Sequence, residues 1–325
     1  MRIVSLLPAA TEILYGIGAG DRVVGVTHEC DFPPEAASKP ALIRPRVDPH
    51  AAPGELNRQV RELVERGESI YAVDAELMER LAPDLIVTQD LCHVCAVSPE
   101  DLATALSRLP QEKRPRVVTF TPRTLADVWQ GIRDIGAAAG CATQADAFAS
   151  SFEREVAAIA SATADASNRP RVLCLEWFDP LFVGGHWVPE MVRLAGGVDL
   201  FGREGEHSFT IEWADVIAAQ PEVIVLMSCG YGRERNLEIW RTTSVPLGWD
   251  AIPAVKSGRV YAVDANAYFS RSGPRLAQGV ALLARLCHPE RIIPGTELLD
   301  FEAVQSPESA TSESRRASPA ARERT

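Results

Sequence analysis

Residues 3–12 read IVSLLPAATE, in which the apolar run Ile3–Leu6 predicts a buried strand and the residues from Pro8 onward predict a helix. Residues 21–34, DRVVGVTHECDFPP, contain a second strand of the same kind. Other short β-branched runs follow, with helical patterns between most of them. The predicted strands are Ile3–Leu6, Arg22–Val26, Leu85–Thr88, Arg116–Phe120, Arg171–Leu175, Glu222–Met227 and Arg259–Val263. Strands that alternate with helices indicate parallel βαβ units.

A long helical stretch separates two series of strands, so we predict an α/β protein with two Rossmann-like lobes and mainly parallel sheets, joined by a long rigid helical backbone. The predicted parts are an N-terminal lobe (1–122), an interlobe helical backbone (123–167), a C-terminal lobe (168–304) and a disordered tail (305–325). The tail is rich in Ser, Glu and Arg and has hardly an apolar residue, which is typical of disorder. Residues 74–87 and 212–225 are similar, because each predicts a helix that ends at a proline before a strand.

Bulk composition excludes several classes of function. The formal net charge of -11 argues against nucleic-acid binding. The chain has no apolar run of the roughly 20 residues that a membrane helix needs, so we expect no membrane insertion. An export signal is not recognisable ahead of the first strand, which predicts a cytoplasmic protein, or a periplasmic one only if the true start lies upstream. Seven cysteines at irregular spacing are a poor disulfide framework.

The ligand of an open parallel sheet binds beyond the carboxyl ends of its strands. Aromatic, thiol and carboxylate side chains follow the predicted strands in both lobes, and stacked rings suit a large, flat, partly apolar ligand. The candidate ligand-binding residues are Pro8, His28, Gln89, Glu176, Trp177, Phe178, Trp187, Tyr231, Asp264 and Tyr268.

A CxxC motif, Cys92 to Cys95, follows the strand Leu85–Thr88. With His28 and Cys30 it could supply one imidazole and three thiols to a tetrahedral zinc or iron ion. The alternatives are reduced cysteines that line the cleft, or a redox dithiol. The sequence has no GxSxG elbow, P-loop or HExxH motif. We expect no required cofactor, with a corrinoid as the ligand and zinc or iron as the metal if the metal site forms.

In the order and spacing of several motifs, the chain resembles the class III periplasmic binding proteins of ABC importers, which bind vitamin B12 and iron siderophores. Within that class the resemblance is strongest to the cobalamin-type members. The motifs lie at residues 3–12, 24–34, 82–87, 184–197 and 268–276. The resemblance implies a ligand held between two lobes, with small hinge motion. In that family a glutamate on each lobe docks on the permease. Glu76 matches the first-lobe position, but Ala214 occupies the second, which argues against a permease partner.

We therefore expect a non-catalytic binding protein for a corrinoid or a related metal chelate. The alternative is a metal-dependent or thiol-redox enzyme that uses His28, Cys30, Cys92 and Cys95 on the same scaffold.

Overall fold

The computed structural model describes residues 1–89, 99–296 and 299–307. The first lobe contains a six-stranded sheet of order β4-β3-β2-β1-β5-β6, in which β4 alone is antiparallel to its neighbour. Its strands are β1 (Ile3–Ser5), β2 (Val23–Thr27), β3 (Ala41–Pro45), β4 (Tyr71–Val73), β5 (Leu85–Thr88) and β6 (Arg116–Thr119). Its helices are α1 (Pro8–Gly16), α2 (Pro53–Glu65), α3 (Ala75–Leu81) and α4 (Pro99–Ser107).

Two helices, α5 (Leu125–Ala138) and α6 (Ala142–Thr163), connect the lobes. They form a hairpin: Arg133 of α5 donates to Asp146 of α6 over 2.8 Å, and the rings of Trp129 and Phe152 stack with centroids 5.8 Å apart. The α5 helix contacts α1 in the first lobe, whereas α6 contacts helices of the second. In the described ranges no helix combines the length and the apolar character needed to cross a bilayer.

The second lobe contains a seven-stranded sheet of order β10-β8-β7-β11-β12-β13, with β9 paired to β7. Its strands are β7 (Arg171–Phe178), β8 (Leu181–Val183), β9 (Val198–Asp199), β10 (Phe209–Thr210), β11 (Val223–Leu226), β12 (Val260–Val263) and β13 (Phe301–Ala303). Its helices are α7 (Val188–Leu194), α8 (Trp213–Ala219), α9 (Arg233–Thr242), α10 (Pro253–Lys256), α11 (Ala265–Tyr268) and α12 (Leu276–Cys287). The central strands β7, β11 and β12 are parallel, and β8, β10 and β13 add antiparallel edges.

One apolar core passes through both lobes. It contains Ile3 of β1, Ile132 of α5, Val156 of α6, Val172 of β7 and Leu282 of α12, all nearly or fully buried. Smaller clusters cover the outer face of each sheet. Because the lobes share this core, a large change in their relative position would expose apolar surface. The fold is therefore a rigid two-lobed α/β protein, as the sequence predicts.

The two similar segments adopt the same local structure. Helices α3 and α8 both begin after an acidic N-cap, Asp74 and Glu212, whose side chain accepts a backbone N–H of the first turn. Both end at a non-glycine residue with left-handed backbone, Ala82 (φ 40°) and Gln220 (φ 50°). Each then enters a fully buried strand, β5 or β11.

The chain is still ordered at the start of the predicted tail. The backbone carbonyl of Gln305 accepts the indole N–H of Trp240 over 3.1 Å, and the Ser306 hydroxyl accepts that of Trp249 over 3.1 Å. These bonds join residues 305 and 306 to the second lobe, and the disordered tail stays a prediction. Residues 308–325 lie outside the described part of the chain.

Candidate ligand-binding cleft

An aromatic pair lies at the carboxyl end of β7. The Trp177 ring, partly buried, stacks on Tyr231 with centroids 5.3 Å apart and an interplanar angle of 28°. Its indole N–H donates to the Asp179 carbonyl over 3.1 Å, which fixes the ring. Tyr231 follows β11, and the Arg235 guanidinium lies 5.8 Å from the centroid of its ring. Tyr231 is 8% exposed, so the aromatic face that the second lobe presents where its central strands end is mainly the partly buried Trp177 ring, with Tyr231 packed behind it.

Phe178 is placed in the core rather than in the cleft. Residues 176–178 continue β7 instead of forming a loop, and the β7–β8 register shifts between Leu175 and Trp177. Such a bulge changes which side chains face which side of the sheet. Phe178 is consequently 5% exposed and packs edge-on against Trp240. Its ring has little surface to offer a ligand.

Trp187 and Tyr268 are also mostly buried, at 6% and 8% exposure. The Trp187 indole N–H donates to the Phe269 carbonyl over 2.8 Å, and both rings belong to the core that the lobes share. Burial raises the pKa of the Tyr268 hydroxyl. Asp264 caps α11, where its carboxylate accepts the Ala267 N–H over 2.9 Å. These three predicted residues have structural partners of their own.

The first-lobe candidates lie at the ends of parallel strands. His28 follows β2, and its Nδ1 is 3.1 Å from the Ile43 carbonyl, with Tyr71 at a ring-centroid distance of 6.0 Å. Pro8 begins α1 after β1, and Gln89 follows β5; both are partly buried. These three residues therefore lie at the carboxyl-end edge of the first sheet.

The second lobe touches the first through the chain that leads into α2. Arg235 donates to the carbonyls of His50 and Ala51 over 3.2 and 3.5 Å. A Cβ on Gly54 would lie 2.7 Å from Asp179 Oδ2, so the backbone at residue 54 lies close to the Asp179 side chain of the second lobe. The aromatic face of the second lobe thus lies beside residues 50–54 of the first lobe.

A buried ion group joins the lobes elsewhere. The Glu12 carboxylate of α1 is 3% exposed and accepts from Arg275 over 2.9 and 2.5 Å, with Arg271 at 3.7 Å. Arg271 also pairs with Asp31, and the Arg275 guanidinium lies 4.4 Å from the centroid of the Phe32 ring. Sequence analysis did not identify this group, because its members are 263 positions apart along the chain.

The predicted metal site is not formed by the described residues. Cys30 is buried and contacts the hydroxyls of Thr11 and Thr27 at 3.1 and 3.4 Å. Burial raises the pKa of this thiol, so it stays protonated at neutral pH. Within residues 1–89, 99–296 and 299–307, no three His, Cys, Asp or Glu side chains are grouped to hold a metal. Cys92 and Cys95 lie outside those residues, and the four-ligand site therefore stays a prediction.

Sequence analysis also missed a histidine pair in the second lobe. His186 Nε2 lies 3.2 Å from His207 Nδ1. Burial, together with the charges of His207 and Arg123, lowers the pKa of His186 to about 4. Beside it, the Ser208 hydroxyl donates to the Glu176 carboxylate. The signal in the sequence was a second histidine 21 positions after His186.

The docking positions of the two lobes are equivalent in the fold. Glu76 is exposed at the second position of α3, and Ala214 occupies the second position of α8. Glu212 is the N-cap of α8, and its carboxylate is engaged in the capping box with Asp215. The two lobes therefore present different charges at these positions.

Comparison with known proteins gives the family. The family model described as periplasmic binding protein matches residues 3–267. An ABC transporter substrate-binding lipoprotein of Bacillus subtilis is 26% identical over 302 residues, which are 89% of this chain and 80% of the relative. The vitamin B12-binding protein of Vibrio cholerae is 25% identical and covers 86% of each chain. The apo structure of the periplasmic heme-binding protein RhuT from Roseiflexus sp. RS-1 has a TM-score of 0.67 and 26% identity, covering 89% of this chain and 98% of that one.

These matches correct the expected location. The sequence predicts a cytoplasmic protein, whereas the matched family and relatives are periplasmic or lipoprotein substrate-binding proteins. The cytoplasmic prediction is therefore wrong.

Proposed function

Since the chain belongs to the periplasmic binding protein family, we propose that it holds a metal-centred tetrapyrrole, either a corrinoid or heme, between its two lobes. At the coarser level the chain is a solute-binding protein of the ABC-importer type. The relatives named for vitamin B12 and heme support the ligand class, because both ligands are broad, flat macrocycles around a metal ion.

The observation that carries the proposal is the stacked pair of Trp177 and Tyr231. Of the two rings, Trp177 is the more exposed, so a macrocycle would stack on its indole, which Tyr231 and the Asp179 carbonyl hold in place so that it loses little conformational entropy on binding. Residues 50–54 of the first lobe lie beside this face, so a ligand there would contact both lobes. His28 and Gln89 at the first-lobe edge are candidates for hydrogen bonds to the ligand's polar substituents.

The enzyme alternative has less support. Its thiol Cys30 is buried and protonated, and the matched family consists of binding proteins. The relatives are substrate-binding proteins of ABC transporters, so a permease partner is part of this proposal, contrary to the sequence expectation. Glu76 is the candidate docking residue. Glu76→Arg should reduce capture by the cognate permease without changing ligand affinity; unchanged capture would argue against that role.

The test of the binding face compares two tryptophan variants. Trp177→Ala should weaken tetrapyrrole binding by at least about tenfold, which corresponds to about 1.4 kcal/mol of lost stacking and buried area. Trp213→Ala is the matched control. Trp213 is a partly buried tryptophan at the start of α8, and its indole packs on Trp249. Absorbance titration with hydroxocobalamin and with hemin measures both affinities. Equal affinities for the two variants would refute the assigned face.

A further inference from the structure

The histidine pair lies on two chain segments that are fastened together. His186 follows β8 and His207 precedes β10, and these strands pair with each other. The His186 N–H donates to the Glu206 carbonyl over 2.6 Å, and the His186 carbonyl accepts the Gly205 N–H over 2.9 Å. These two bonds flank the imidazoles, so the ring nitrogens are held near each other by the backbone.

The local backbone is specialised for this approach. A Cβ on Gly185 would lie 2.4 Å from Ser208 N and 2.6 Å from Glu206 O, so a larger residue would separate the segments. His186 itself has φ 53°, a left-handed conformation that is uncommon for a non-glycine residue. Such backbone strain concentrates at functional sites, where surrounding contacts maintain it.

The spacing of the two nitrogens fits a shared metal ion. Zinc binds imidazole nitrogen at about 2.0–2.1 Å, and at this bond length two nitrogens 3.2 Å apart subtend about 100° at the ion, close to the tetrahedral angle. The rings are nearly perpendicular, at 87°. His207 is exposed, and its χ2 torsion is soft, so its ring can turn from the hydrogen bond toward an ion.

We propose that His186 and His207 form a binding site for a divalent transition-metal ion of the zinc or copper class, separate from the tetrapyrrole. Among the residues that the structure describes, no third His, Cys, Asp or Glu is grouped with the pair, so the remaining coordination positions would be open to water. The nearby carboxylates have partners: Glu176 accepts from Ser208, and Glu206 lies 3.3 Å from Arg203. The positive charge of Arg123 opposes the ion, which favours an exchangeable site over a permanent one.

The test uses asparagine substitutions in the full chain. His186→Asn suits the left-handed backbone and removes the imidazole ligand. His207→Asn removes the other ligand, and His50→Asn removes an exposed imidazole elsewhere as the control. Zinc affinity is measured by competition with a chromogenic chelator. We expect at least tenfold weaker binding in each of the first two variants and no change in the control.

Copper provides an independent readout, because Cu²⁺ binds nitrogen sites more tightly than Zn²⁺. Electron paramagnetic resonance of the copper-loaded protein should show two coupled nitrogens, and one in each single variant. If zinc is instead bound by other groups of the chain, its affinity will be the same in every variant. Equal zinc affinities across all four proteins, or no saturable zinc binding by the unmodified chain, would overturn the site. Tetrapyrrole binding is measured without added metal, so the two proposals fail separately.

Discussion

At the scale of single residues, the most consequential interaction is the buried ion group that joins the lobes. Glu12 belongs to α1, whereas Arg271 and Arg275 lie beside α12. A buried charge whose partner is removed is costly, because the remaining charge is neither solvated nor paired. The group therefore stabilises the relative position of the lobes for as long as both signs are present.

Glu12→Gln should lower the free energy of unfolding by about 3 kcal/mol, since it leaves the partly buried Arg275 guanidinium without its carboxylate, whereas Arg271 keeps its pair with Asp31. Urea denaturation followed by tryptophan fluorescence measures the change. Glu62→Gln is the control, because its exposed pair with Arg58 on α2 should contribute less than about 1 kcal/mol. A loss for Glu12→Gln as small as that of the control would contradict this role.

Single residues also show where sequence reasoning reaches its limit. The prediction ended this strand at Leu175, whereas β7 continues to Phe178, and alternation cannot reveal the register shift after which Phe178 is buried. The histidine pair and the Glu12 group depend on contacts between distant segments. Local periodicity carries no information about them.

At the scale of elements, the start of α5 is stabilised by a capping box. The Thr124 hydroxyl accepts the Asp127 N–H over 3.2 Å, and the Asp127 carboxylate accepts the Thr124 and Arg123 N–H groups over 2.9 and 3.0 Å. Burial alone would raise the pKa of Asp127, but these N–H groups and the Thr124 hydroxyl hold it below its usual value of 3.8.

Asp127→Ala should cost about 1 kcal/mol of unfolding free energy at neutral pH. The native pKa lies below the unfolded one, so this contribution is full above about pH 4. It is lost as the pH falls through the native value. Urea denaturation of both proteins between pH 7 and pH 2.5 should show their difference shrinking on the acid side. A difference that is constant with pH would contradict the charged cap.

The main strands and helices could be predicted because they are apolar runs bounded by turn residues. Observed β5 coincides with its prediction, and β12 differs from its own by one residue. The short strands β8, β9 and β10 were missed, since two or three residues carry no readable alternation. The similarity between residues 74–87 and 212–225 was readable because both helices end in the same way.

At the scale of the whole molecule, the lobes are parts of one cooperative structure. The core from β1 through α5 and α6 to α12 is continuous. Ile132 lies within it and is fully buried, so truncation there removes contacts that belong to neither lobe alone.

Ile132→Ala should therefore destabilise the protein by about 2–5 kcal/mol while leaving a single unfolding transition. Scanning calorimetry measures this, with the calorimetric and van't Hoff enthalpies expected to agree. Two resolved transitions, of which only one shifts, would show that the lobes unfold independently.

The same rigidity favours a preformed site over one assembled by domain closure. The central claim is that the cleft beside Trp177 and Tyr231 binds a metal-centred tetrapyrrole. Its most direct test is absorbance titration of the purified, folded chain with hydroxocobalamin, cobinamide and hemin in parallel. We predict saturable binding of at least one of them at one ligand per chain, with a shifted absorbance band and about tenfold weaker binding by Trp177→Ala. The absence of saturable binding for all three would contradict the claim.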